Sequence, residues 1–292
     1  MAHPWTYSAL PKRPASRWPN GARVAVWVAV GVESYRPNDG RTEDIVPAGP
    51  APDLVNTAWR DYGNRVGAFR LFDRLSVLGI KPTLLLNTDL YDEAPEVLAA
   101  ARTAGADIVA HGLSNSDALP DMSAEQERRY ITSCRKRILA EEGAPPKGWS
   151  SPWLQHKPTT LTHLREAGFT TVLDFRLDDQ PVWLATESGP ILSVPYAAEL
   201  NDSTTMIGRS TGAVDFAHMI IDEFEELSSA RFDQAVVMSI VLHSFISGQP
   251  FRLKAITKAL EHIKEAGAEV WFTTPANIYE AVAEDPHLAA GP

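Results

Sequence analysis

Apolar residues along the chain alternate between short unbroken runs and longer stripes at helical spacing. The first run, Arg23 to Val32 (RVAVWVAVGV), is continuous and rich in β-branched side chains, the pattern of a strand buried on both faces. Arg36 to Asp53 is rich in Pro, Gly and Asp and lacks periodicity, which predicts a long loop over one end of that strand. Loops of this length in compact domains are often functional. From Asn64 to Leu78, Val66, Phe69, Leu71, Phe72, Leu75 and Leu78 form a helical stripe that Gly79 terminates.

The same beat continues to the end. Strand Pro82 to Leu86, helix Pro95 to Ala104, strand Ile108 to Ala110 and helix Ala124 to Glu141 follow, then a strand near Gly148, helix Pro158 to Ala167 and strand Thr171 to Asp174. The last third adds helix Phe216 to Ser228, strand Val236 to Leu242, helix Leu253 to Ala266 and strand Glu269 to Phe272. Thr186 to Tyr196 reads as an inserted hairpin turning at Ser188-Gly189. About seven βα units with short connections predict an α/β fold, a parallel sheet closed or partly closed into a (β/α) barrel. Residues 1–292 form one domain in this reading, with an N-terminal extension over 1–20 and a flexible C-terminal tail from about residue 284.

Composition narrows the function. No apolar stretch approaches the roughly 20 residues of a membrane-spanning helix, and no basic patch with a long apolar run opens the chain, so the expected location is the cytoplasm. A net charge of −10 opposes nucleic-acid binding through phosphates. The single cysteine, Cys134, forms no internal disulfide and reads as a passive thiol in a helix. Phosphate-cradling glycine motifs are absent.

Barrel chemistry gathers where strands end at their C-terminal side, and the polar residues there are Glu33 and Ser34, Asn87 and Asp89, His111 and Asn115, Ser150 to Trp153, Asp174 with Asp178 and Asp179, and His243. One carboxylate and two imidazoles converging on one rim suit general acid/base hydrolysis. The plain alternatives are an arginine partner for Glu33, structural roles for the two histidines and a loop cap for Asp178-Asp179. His3, His156, His163, His218, His262 and His287 read as solvated or helix-surface residues. Trp149, Trp153, Trp183 and Tyr196 line an aromatic pocket or belong to the core.

In these residues the chain resembles the polysaccharide deacetylase superfamily, the NodB-homology fold, and within it the metal-independent allantoinase and cyclic imide hydrolase branch. Gly31-Val32-Glu33-Ser34-Tyr35 is similar to the Thr-Phe-Asp-Asp-Gly motif, with Glu33 as the base and Ser34 where a metal-binding Asp is expected. His111-Gly112-Leu113-Ser114-Asn115 resembles His-Ser/Thr-x-x-His with the second histidine replaced by an amide. Gly148 to Trp153 carries Ser150 at the position of the arginine that would hold the base. Leu173 to Pro181 matches the acidic fourth motif, and Leu242-His243, continuing through Gly248-Gln249-Pro250-Phe251-Arg252, matches the fifth. The run Tyr62-Gly63-Asn64-Arg65-Val66-Gly67 also resembles that branch.

The resemblance implies a distorted, often incomplete (β/α) barrel, no catalytic metal and a homo-oligomer, tetramer or dimer, with the N-terminal segment against a neighbouring subunit. It implies a small cyclic amide substrate, an imide such as succinimide or a ureide or hydantoin such as allantoin. Glu33 would activate water, His111 and Asn115 would donate to the oxyanion and His243 would protonate the leaving nitrogen. Ser34, Asn87, Trp153, Trp183, Tyr196 and Arg252 are the candidates for holding substrate. Two alternatives stand beside this: a metal-dependent amide or N-acetyl deacetylase recruiting His111, Asp117 or Asp89 as ligands, and a non-catalytic ligand-binding member of the fold.

Overall fold

The computed structural model describes residues 3–37, 39–229 and 231–290. Its centre is β1 (Val24–Val32), buried along its whole length. Parallel neighbours extend the sheet on one side through β2 (Thr83–Leu86), β3 (Asp107–Ala110), β4 (Gly148–Trp149) and β5 (Thr171–Val172). Beyond β5 the next strand in space is β7 (Ile191–Ser193), parallel to it, with β6 (Val182–Leu184) antiparallel at the edge. On the other side β1 pairs with β8 (Val236–His243), while β9 (Val270–Phe272) pairs with the start of β1 on the edge that β2 occupies further along. The sheet curls without a β7–β8 ladder, and the gap is spanned by residues 197–201, where Val241 N donates to the Leu200 carbonyl at 2.9 Å. The α/β half-barrel predicted from the alternation is present.

Side chains along β1 alternate between two packing layers, as a strand's period of two requires. Val24, Val26, Val28, Val30 and Val32 pack outward against the helices, while Ala25, Trp27 and Ala29 join the inner cluster. β8 does the same, with Met238, Ile240 and Leu242 outward and Val237 and Val241 inward. Glu33, His111 and His243 continue the inward rows of β1, β3 and β8, so the pleat aims all three into the mouth of the barrel.

Three predicted elements need correction, and one helix was missed. The first helix begins ten residues early, at Leu54 rather than Asn64, and runs as Leu54–Tyr62, a π turn at Gly63–Gly67, and Ala68–Val77. The hairpin is not an insertion, because β7 is a sheet strand and only β6 is extra. A helix at Pro275–Glu284 was not predicted. The expected C-terminal tail instead forms a 3-10 turn at Pro286–Leu288 and buries Leu288, Ala289 and Ala290; residues 291–292 of that tail, like residues 1–2 of the N-terminal extension, lie outside the described residues.

The N-terminal extension lies on its own barrel. Trp18 is 1% exposed and donates from Nε1 to the Val236 carbonyl at 2.7 Å, and Arg13 pairs with Asp178 at 2.5 Å. That pairing assigns Asp178 a structural role. Trp18→Ala is expected to lower stability by about 3–5 kcal/mol, seen as an earlier denaturant midpoint; a wild-type midpoint would mean that the segment only rests on the sheet. Cys134 is buried, and burial pushes its thiol well above the ordinary range, in keeping with a passive residue. Among the described residues no helix is long and apolar enough to cross a membrane.

Candidate active site

The ends of β1, β3 and β8 open into a cleft of about 510 Å³, counting its open mouth, lined by Glu33, His111, Asn115, Trp153, Tyr196 and His243 among others. Register sets the relative heights. Gly31 is level with His243, so Glu33 stands two residues above the imidazole on the neighbouring strand. The ring lies so close to β1 that a Cβ on Gly31 would come within 2.9 Å of His243 Cδ2. A glycine inside an otherwise apolar strand is therefore the local reason the ring can approach. Gly31→Ala is expected to displace His243 and lower activity at least tenfold with little loss of fold; wild-type turnover would show that the ring position is not critical.

Glu33 is 5% exposed and held at both oxygens. Tyr35 donates its hydroxyl to Oε2 at 2.5 Å, while Oε1 lies 3.4 Å from His243 Nε2 and 3.8 Å from His111 Nε2. Tyr35 thus does the orienting that Ser150 leaves undone, and burial first, then the charges of Glu33 and Glu43, keep its phenol protonated. Asn115 Nδ2 donates to Tyr35 Oη at 3.1 Å, and the ring packs edge-on to Phe245 beneath the Arg60 guanidinium.

His243 is the centre of a buried charge chain. Asp202, fully enclosed, accepts from the His243 backbone N at 2.8 Å, from its Nδ1 at 2.6 Å and from Ser247 Oγ. Burial pulls the imidazole pKa down, but the Glu33 and Asp202 carboxylates on either side, with the Asp202 hydrogen bond, outweigh it and raise it to about 10. The group is an imidazolium at neutral pH.

His111 is the opposite case. Burial outweighs the pull of Glu33 and lowers its pKa, and the Ser150 carbonyl, 2.8 Å from Nδ1, can only accept, so Nδ1 carries the proton. Nε2 then offers a lone pair to the cleft. Asn115 is placed differently: one Nδ2–H is taken by Tyr35, and Oδ1 is buried without a hydrogen-bond partner among the described residues. Both were expected to donate to an oxyanion; His111 instead presents an acceptor, and Asn115 gives one of its N–H groups to Tyr35.

Trp153 and Tyr196 line the cleft as predicted, Trp153 fixed by Nε1 donating to the Asn115 carbonyl at 2.6 Å. The other four substrate candidates do not. Ser34 Oγ is turned to Glu93 at 2.7 Å, and Asn87 bridges the Ser34 N–H and the His111 carbonyl beneath the floor. Trp183, on the antiparallel edge strand, packs against Tyr279, and Arg252 donates to the Ile246 carbonyl and covers the Phe251 ring. Trp149 is core, edge-on to Phe169. Two histidines expected on the surface are engaged inside: His163 with Glu127 at 2.9 Å, and His156 with Asp174, whose other oxygen accepts from Ser151 N at 2.7 Å. Residue-by-residue reading missed Tyr35 and Glu43, which follow β1 in its aperiodic loop, and Asp202 and Ser203, which open the π turn Ser203–Ile207.

The metal chemistry of the family that the sequence resembles is tested by the donor set. Ser34, at the acid-ligand position, is committed to Glu93, and Asn115 offers one amide oxygen, which leaves His111 as the one strong ligand. Asp117 is occupied by Arg36 and Tyr130, and Asp89 lies 4.0 Å from Arg36. Among the described residues no three His, Cys, Asp or Glu side chains are grouped to hold an ion. These residues do not fit a zinc site.

Comparison with known proteins agrees with this architecture. Residues 60–172 match the family model "Polysaccharide deacetylase". The solved structure of Puue allantoinase superposes with a TM-score of 0.85, at 24% identity, covering 98% of this chain and 99% of that one. The fold is that of the polysaccharide deacetylase family. A Schizosaccharomyces pombe protein named "Putative polysaccharide deacetylase" is 23% identical over 295 residues, 90% of this chain and 91% of that protein. A family 4 carbohydrate esterase from Streptomyces lividans, solved with acetate, shares the deacetylase fold more distantly, with a TM-score of 0.51, 13% identity and coverage of 87% of this chain and 93% of its own. The family and these neighbours carry the names of hydrolases.

Proposed function

We propose that the protein hydrolyses a small cyclic amide, an imide such as succinimide or a ureide or hydantoin such as allantoin, using a carboxylate to activate water and no catalytic metal. The observation that carries this reading is the buried Asp202–His243–Glu33 chain, which places a carboxylate beside an imidazolium at the floor of a small cleft. Water between Glu33 Oε1 and His111 Nε2 gives its proton to Glu33 as its oxygen bonds to the ring carbonyl carbon. The C=O electron pair moves to oxygen, and the His243 Nε2–H and the Tyr196 hydroxyl are the donors available to it. His111 Nε2 accepts from a ring N–H group. When the oxyanion collapses the C–N bond breaks, His243 protonates the departing nitrogen, and Glu33 returns its proton to His243, 3.4 Å away. The product is an open half-amide acid and both groups are reset. An imide carbonyl, whose nitrogen is shared with a second carbonyl, is electrophilic enough to react without a Lewis acid.

The test is turnover of succinimide, hydantoin and allantoin beside an N-acetylglucosamine oligomer, each with and without chelator, with metal measured on the same sample. Ring opening that survives chelation supports the proposal. The family match and the carbohydrate esterase neighbour favour the deacetylase alternative, which takes its place if only the N-acetyl substrate is hydrolysed or activity follows bound metal. A protein inert on all of them is a non-catalytic member of the fold.

A further inference from the structure

Glu43 lies on the long loop between β1 and the first helix, yet its side chain lines the same cleft as Glu33, His111 and His243. The loop is pinned there. Arg41 N donates to the Ser116 carbonyl at 3.1 Å, Ile45 N and Val46 N donate to Asn56 Oδ1 at 3.0 and 3.2 Å, and Arg60 Nη1 donates to the Glu43 carbonyl at 2.9 Å. Arg60 does not serve the Glu43 carboxyl, because its ion pair is with Asp44 at 2.6 Å. Among the described residues the one hydrogen bond to that carboxyl is from Ser203 Oγ to Oε1 at 2.7 Å.

The charges around it come from three elements: Glu33 and Tyr35 at the end of β1, His243 at the end of β8, and Asp202 beside Ser203. Three carboxyl groups therefore share one imidazolium. Asp202 accepts three hydrogen bonds and Glu33 is held by Tyr35 beside His243, whereas Glu43 Oε2 has no partner among the described residues. Glu43 is the carboxyl best able to stay protonated, and burial first, against the pull of His243 and Ser203, pushes it up to about 7.

With His243 Nε2–H and the Tyr196 hydroxyl given to the reacting carbonyl, the other carbonyl of an imide or ureide ring still needs a donor from this cleft. Resting on the ring-opening reading above, we infer that Glu43 selects rings with a second carbonyl by donating its carboxyl hydrogen to that oxygen. Glutamine at this position keeps the bond from Ser203 and presents an N–H donor at every pH.

The experiment is kcat/KM from pH 6 to 9 on whichever ring is opened, for wild type, Glu43→Gln and Glu43→Ala. Wild-type kcat/KM is expected to fall about tenfold per pH unit once Glu43 ionises above about 7. In Glu43→Gln that decline disappears, and in Glu43→Ala kcat/KM at pH 6 falls at least tenfold through a higher KM. A Gln variant that keeps the decline, or an Ala variant with wild-type kcat/KM, overturns the inference and leaves ring opening standing. Wild-type inactivity on every ring overturns the ring-opening reading and this inference with it, and is told apart because no variant then has a profile.

Discussion

Glu33→Gln is expected to lower kcat/KM on the preferred ring by about 10²- to 10⁴-fold, the range that a positioned general base supplies. Glutamine keeps the volume and a polar contact for the Tyr35 hydroxyl, so the loss reports the missing base rather than a collapsed site. The substitution has a second consequence. Glu33 is the strongest of the charges that raise His243, so its removal lets burial draw the imidazole pKa below about 10. An NMR titration of His243 reads that shift without substrate. Near-wild-type turnover would remove Glu33 as the base and leave His111 Nε2, 3.8 Å from it, as the next group able to take the proton. A lost rate with an unshifted His243 would mean that the two groups do not share the charge described here.

What the sequence made legible follows from periodicity. The unbroken runs of β1 and β8 identified buried strands, and the residues ending them, Glu33 and His243, lie in the cleft because the pleat alternates without interruption up to both. The first helix was cut short for a physical reason. Leu54 and Val55 face solvent, 71% and 64% exposed, and the π turn at Gly63–Gly67 shifts the phase, so the stripes on either side do not join. At that turn Gly67 packs on the Ser244 carbonyl, where a Cβ would sit 2.0 Å from the oxygen, a contact between residues 177 positions apart. Trp183 and Arg252 show the limit from the other side. Their residue types suit a binding pocket, but strand direction at β6 and the docking of helix Pro250–Glu265 decide which way they face, and neither is encoded locally. The orientation of His111 and Asn115 was likewise invisible, because it depends on the Ser150 carbonyl and on Tyr35.

Asp202→Asn is expected to lower kcat/KM by about 10²- to 10⁴-fold, the scale seen when the carboxylate behind a catalytic imidazole becomes an amide. Asp202 bonds both the His243 main-chain N–H and Nδ1, which fixes the ring with Nε2 toward Glu33. An amide accepts through one atom only, so the ring loses either its anchor or its tautomer. The charge argument gives the pH dependence. His243 titrates near 10 instead of 6.5, so in a Glu43→Gln background, which lacks the decline above about 7, activity that needs the imidazolium holds to the alkaline side and then falls; with Asp202→Asn added that limb moves toward neutral pH. Stability follows the same linkage. A raised folded-state pKa contributes fully below about 6.5 and is lost as pH climbs through 10, so wild-type denaturation midpoints should decline across that window and those of Asp202→Asn should decline less. If Asp202 only filled space, the variant would be less stable at every pH while its alkaline limb stayed in place. A displaced limb is therefore the result that separates a charge partner from a packing residue.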